Sequence, residues 1–177
     1  MKKENAVNKK FTKGFTLLEL LVVVLIIGVL AAIALPQYKL AVGKTKFSTL
    51  KNITRSVWDS AQRYYMVNNS YPKATSGLDI GLDIKEENYT NNKYLQFTTS
   101  DGIQCTVWNK NPNNFAACGR KIFGKQIRFY IKSNGSPESC VAFILDENHI
   151  TNKICRNETH RNTANYCEDT GYCSYHY

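Results

Sequence analysis

One carboxylate stands out by its surroundings. Glu19 is the only charge in FTLLELLVVVLIIGVLAAIAL, the 21 residues from Phe15 to Leu35, and Thr16 is the only hydroxyl there. At about 1.5 Å rise per residue, a helix of that length covers roughly 30 Å, the hydrocarbon thickness of a bilayer. A carboxylate at that depth costs about 2.5–3.5 kcal/mol, so it calls for a positive partner. A cut after Gly14 supplies one, because the new α-amino group of Phe15 then lies about one helical turn from Glu19. The amine can meet the carboxylate within its own helix. It can also meet one on a neighbouring helix displaced along a bundle, where the pair sets axial register as a buried polar residue does in a coiled coil.

Other residues with chemical potential are weaker signals. Six cysteines, Cys105, Cys118, Cys140, Cys155, Cys167 and Cys173, fall in the last 73 residues, an even count that suits disulfides outside the cytoplasm. Zinc is the competing reading, but no CxxC pair occurs and His149, His160 and His176 are scattered, so no metal is expected. Six cysteines allow about 15 pairings. Local closure is cheapest in entropy and predicts Cys105–Cys118, Cys140–Cys155 and Cys167–Cys173. Asp79, Asp83, Glu86 and Glu87 carry oxygen ligands for calcium but lack its loop pattern, and read as a solvated face. Arg120, Lys121, Lys125, Arg128 and Lys132 form an acid-free run that makes nucleic-acid contact a weakly supported option. Strand parity separates Arg120, Arg128 and Lys132 from Lys121 and Lys125. No P-loop, HExxH, GxSxG or dinucleotide fingerprint is present, so neither enzyme activity nor a cofactor is expected.

The 177 residues, 43% apolar, fit one modest core plus an appendage. The net charge of +9 is concentrated at the start: Lys2, Lys3, Lys9, Lys10 and Lys13 precede Phe15 with one acid, Glu4. Removing that stretch leaves 18 basic and 13 acidic residues, a net +5. Lysines beside an apolar segment hold that end in the cytoplasm. An ordinary signal peptide and a simple membrane anchor are the plain readings, the first helped by small Ala31, Ala32 and Ala34. Against the signal peptide stand the length of the apolar run, beyond the usual 7–15 or so residues, and the charge at Glu19.

The stretch KGFTLLELLVVVLIIGVLAAIALPQY, Lys13 to Tyr38, resembles the N-terminus of type IV pilins and of the pseudopilins of type II secretion. The resemblance covers about the first 50 residues and implies cleavage between Gly14 and Phe15 by a prepilin peptidase. It further implies methylation of the Phe15 amine and a role for Glu19 in assembly. The implied partners are copies of the chain in a filament, other pilins, that peptidase, the inner-membrane assembly machinery and the membrane itself. The implied location is the inner membrane as a single-pass precursor and then a pilus on the cell surface, or the periplasm for a pseudopilin. The implied function is that of a structural subunit polymerising through its N-terminal helix, with adhesion, motility and DNA uptake as associated roles. The alternatives are a pseudopilin of type II secretion and a minor pilin acting as adhesin or DNA receptor.

The elements that would position these residues follow from periodicity. Pro36 lacks a donor and should kink the helix where the apolar run ends, with Gly43 a second soft point. Phe47, Leu50, Thr54, Val57, Ala61 and Tyr64 recur at helical spacing, so one helix is expected from about Phe15 to Val67. The segment to Asn92 reads as a turn-rich loop. Tyr94–Thr99 and Ile103–Trp108 flank an Asp101-Gly102 hairpin turn, and Ile122–Lys132 pairs with Cys140–Leu145 around Asn134-Gly135. The expected fold is α+β: a long N-terminal helix, hydrophobic in its first half and amphipathic in its second, packed on an antiparallel head. The expected parts are a leader, 1–14, a transmembrane and assembly helix, 15–35, and a spine helix with a disulfide-braced head, 36–177. The aromatic tail of Tyr166, Tyr172, Tyr175 and Tyr177 either covers the head or packs at an interface. Five Asn-x-Ser/Thr sequons, such as those at Asn52 and Asn88, are read as chance.

Overall fold

The computed structural model describes residues 14–90, 93–109, 114–169 and 171–177, with the side chains of Tyr89 and Thr90 outside the description. Residues 1–13 of the expected leader, with Glu4 and the five lysines, therefore lie outside the described residues. The chain divides into two compact units, one ending at Tyr38 and one running Lys39–Tyr177.

Helix α1 spans Leu17–Asn68 and contains Pro36 without a break in its assignment. Its end is marked by Asn69 in the left-handed region at φ 50°, a conformation Asn tolerates better than most residues. In the second unit, the α1 stripe Phe47, Leu50, Thr54, Val57 and Ala61 is fully buried, as its spacing predicts, while Tyr64 stays half-buried. Thr54 spends its hydroxyl on the Leu50 carbonyl at 2.7 Å, which lets a polar side chain sit in the core.

That stripe packs on an eight-stranded antiparallel sheet in the order β1-β2-β3-β4-β5-β6-β8-β7. The strands are β1 Ile84–Thr90, β2 Tyr94–Thr99, β3 Gln104–Trp108, β4 Phe115–Ile122, β5 Lys125–Lys132, β6 Ser139–Ala142, β7 Tyr166–Glu168 and β8 Tyr172–His176. Alternation does the sorting: Leu95, Phe97, Val107, Ile127 and Phe129 point to the core, and Phe47 meets the Phe129 ring edge-on at 6.1 Å.

Several expectations are corrected. Ile84–Thr90 is a strand rather than loop; as the sheet edge it exposes Lys85, Glu86 and Glu87, so no apolar alternation announces it. The stretch Ile122–Lys132 is not one strand. It turns at Phe123 and Gly124, both at positive φ, and β4 lies on its N-terminal side. A helix, α2 (Ile150–Thr159), follows β6 in a stretch to which the sequence reading assigns no element. The His149 side chain accepts from the Thr151 N–H at its start.

The second unit is braced covalently. Disulfides join Cys105 to Cys118, Cys140 to Cys155, and Cys167 to Cys173. The first links opposed residues of β3 and β4, the third opposed residues of β7 and β8, and the second ties α2 to β6. Fully buried Asn152 reinforces that tie: its amide donates to the carbonyls of Ile144 at 3.0 Å and Asp146 at 2.7 Å, and its oxygen accepts from Tyr175 Oη at 3.1 Å. Gly43 is a packing position rather than a soft point, since a Cβ there would come within 2.5 Å of Ile154 Cδ1.

Candidate assembly site at the helix start

The residues singled out at the N-terminus lie together and open to solvent. Gly14, Phe15 and Thr16 precede α1, and a side chain at Gly14 would meet nothing within 4 Å.

Thr16 caps the helix and Glu19 sits in its first turn. The Thr16 N–H donates to Glu19 Oε2 at 2.9 Å, and the Thr16 hydroxyl donates to the same oxygen at 2.8 Å. The Glu19 N–H donates back to Thr16 Oγ1 at 3.2 Å. This reciprocal pattern is a capping box, and a carboxylate there also faces the positive end of the helix dipole. Glu19 thus has a local structural role besides any intermolecular one. The T-x-x-E spacing at Thr16–Glu19 announces that box in the sequence, and Thr16 is the functional residue that attention to Glu19 alone misses.

The box leaves room for a further partner. The Thr16 N–H belongs to the Phe15–Thr16 peptide, so cleavage at Gly14–Phe15 keeps it. All three bonds engage Oε2 or Thr16 Oγ1, and among the described residues none engages Oε1.

Beyond the cap, fifteen large apolar side chains from Phe15 to Leu35 are each at least 45% exposed. The most apolar 18-residue window of α1 has a mean hydropathy of 3.0, enough to cross a membrane by length and composition. At about 1.5 kcal/mol each, covering those side chains is worth on the order of 20 kcal/mol. That exceeds the roughly 5–15 kcal/mol that holds a typical domain together. A lipid bilayer or neighbouring helices must supply the cover.

The other candidates are dispersed. Asp79 takes a bidentate pair from Arg63, at 2.8 Å from Nε and 2.6 Å from Nη2, which holds its carboxyl well below the usual range. Asp83 accepts from the Ser100 hydroxyl at 2.6 Å, and Glu87 from Thr75. Among the described residues no group of acids, histidines or cysteines could hold a metal. The turn at Phe123-Gly124 also redraws the basic face: by register Lys121, Arg128 and Lys132 share the sheet side opposite Arg120 and Lys125.

An apolar span with a capped carboxylate at its start precedes an α+β unit built on a helix and an antiparallel sheet, an arrangement consistent with a membrane-anchored chain. Residues 9–35 match the prokaryotic N-terminal methylation motif. The chain is 32% identical over 95 residues to the fimbrial protein EcpC of Eikenella corrodens, covering 54% of this chain and 61% of that protein. It is 30% identical to a fimbrial protein of Moraxella nonliquefaciens, over 65% of this chain and 75% of that one. It is 29% identical to type II secretion system core protein G of Pseudomonas aeruginosa, over 61% and 75% respectively. No solved structure matches the chain. The chain belongs to the type IV pilin family.

Proposed function

We propose that the chain is a structural subunit of a type IV pilus, inserted in the inner membrane and freed for assembly by cleavage between Gly14 and Phe15. The carrying observation is Glu19: a carboxylate at the start of an otherwise apolar span, with one oxygen uncommitted and an accessible Gly14–Phe15 bond four residues before it. Cleavage creates the Phe15 amine, which prepilin peptidase methylates, and Glu19 of one copy receives the amine of the next. The exposed apolar side chains then exchange lipid for one another as the assembly machinery draws the helix from the membrane into a surface filament. The three disulfides suit a unit that works outside the cytoplasm.

Fibres sheared from the cell surface test this reading. The chain is expected in them at a constant ratio to fibre mass; fibres that lack it overturn the proposal. The match to a type II secretion core protein favours one other reading, a periplasmic pseudopilin. In that case deleting the chain stops enzyme secretion and leaves surface fibres intact.

A further inference from the structure

The face of the sheet turned away from α1 carries a groove of about 490 Å³ at its β5-β6-β8-β7 end. Cross-strand register builds it. One row sets Arg128 opposite Val141, Val141 opposite Ser174 and Ser174 opposite Tyr166; the next sets Tyr130 opposite Ser139 and Ser139 opposite His176. Opposed residues share a face. Small Ser139, Val141 and Ser174 form the floor and are nearly buried although they point outward, because tall residues wall them in.

Those walls are of two kinds. Tyr130, Phe143, Tyr166 and Tyr172 supply rings, with Phe143 and Tyr172 centroids 5.8 Å apart. Arg128, Lys132 and His176 supply cationic or donor groups, and among the described residues no carboxylate lines the space. The nearby acid, Glu168, takes a hydrogen bond from Tyr172. Among the described residues no acid pairs with Arg128 or Lys132.

Arg128 is held in place. Its guanidinium lies 5.3 Å from the Phe143 ring centroid. The Gln126 amide, turned so that its oxygen faces the guanidinium, accepts from Nε at 3.1 Å and Nη2 at 3.2 Å. Opposite it in register, Gly119 has no Cβ, and one there would run into the Arg128 stem.

We propose that this groove binds a carboxylate-bearing saccharide. A sugar presents C–H faces to tyrosine rings and hydroxyls to Ser139, Ser174 and His176, and a uronic-type carboxylate gives Arg128 a planar anion of matching geometry. A neutral sugar offers the fixed cation no anion. Single-stranded nucleic acid fits less well: Arg128 and Lys132 stand four residues apart on one strand, about 13 Å, with a walled pocket between them instead of the continuous cationic track that a phosphate chain needs. The inference goes beyond the filament reading and holds whether or not the chain polymerises.

Titrating the full mature chain in detergent micelles, with calorimetric readout, tests it. The probes are trigalacturonate, neutral maltotriose and hexathymidylate. Trigalacturonate is expected to bind saturably, with maltotriose at least about tenfold weaker, the cost of losing one charge-assisted hydrogen bond. Arg128→Gln should weaken trigalacturonate about tenfold and leave maltotriose unchanged. Tyr166→Ala should weaken both sugars, and Lys121→Ala, on the same sheet face outside the groove, neither. Gly119→Ala, which changes no charge, should mimic Arg128→Gln by displacing the guanidinium. The inference is overturned if maltotriose binds as tightly as trigalacturonate, if hexathymidylate binds more tightly than either, or if Lys121→Ala costs as much as Arg128→Gln.

Discussion

Replacing Glu19 by Gln separates the two roles that the geometry gives this residue. Gln serves at the third position of a capping box as Glu does, so the bond from the Thr16 N–H and the start of α1 survive. What is lost is the charge. A capping interaction is worth about 1 kcal/mol, whereas a unit amine–carboxylate pair at about 4 Å in an effective dielectric near 20 is worth about 4 kcal/mol. At about 1.4 kcal/mol per decade, the first figure is roughly fivefold in an incorporation equilibrium and the second roughly a thousandfold. Each variant can be co-expressed with wild type, and its ratio to wild type in sheared fibres measured by mass spectrometry, normalised to the same ratio in membranes. Thr16→Ala should then be depleted about fivefold, and Glu19→Gln almost as completely as Glu19→Ala, with leader removal unaffected. Glu19→Gln entering fibres within fivefold of wild type, with Thr16→Ala as depleted as Glu19→Ala, would show that the carboxylate is only a helix cap.

Three further outcomes concern the Lys39–Tyr177 unit. The double change Cys140→Ala, Cys155→Ala should cost about 3 kcal/mol in denaturant unfolding, as expected for a loop of this length; an unchanged midpoint would show that Asn152 alone holds α2. Gly43→Ala should destabilise by about 1–3 kcal/mol through overpacking against Ile154, and Ile154→Val should recover part of that loss in a double-mutant cycle. Asp79 has a lowered pKa in the fold, so the stability it contributes is present above the ordinary carboxylate pKa of about 3.9 and is lost as pH falls below it. Asp79→Asn should therefore flatten the acid limb of the thermal-midpoint profile; a limb of unchanged slope would mean that the exposed Arg63 pair contributes nothing.

How much the sequence disclosed depended on whether a physical constraint left a repeating trace. The α1 stripe from Phe47 to Ala61 was readable because one helix face is buried along its length. The β2–β3 hairpin was readable because Asp101-Gly102 supplies the left-handed glycine, at φ 75°. By contrast β1 exposes Lys85, Glu86, Glu87 and Asn88 in succession, and β4, with Ala116, Ala117, Cys118 and Gly119, has small side chains that mimic no strand pattern. Its turn to β5 places bulky Phe123 at φ 49°, which residue preference disfavours. Helix α2 is short and polar, held by the Cys140–Cys155 bond, the Asn152 network and the His149 cap, all of them tertiary or local side-chain effects. At the helix start, Glu19 stands out in the sequence as the one charge in an apolar run, and Thr16 lies in the same four-residue capping-box spacing. The groove at Arg128 was not legible, because its members come from four strands and meet only through register.

Assembly of the chain into a filament begins at the Gly14–Phe15 bond if the proposed function holds. Mass spectrometry of the N-terminal peptide of the chain, recovered from sheared fibres or from membranes, tests it most directly. Cleavage after Gly14 with methylation predicts a peptide beginning at Phe15 and carrying one added methyl group on its α-nitrogen. A mature chain beginning after Ala34, as a signal peptidase would leave it, would contradict the account.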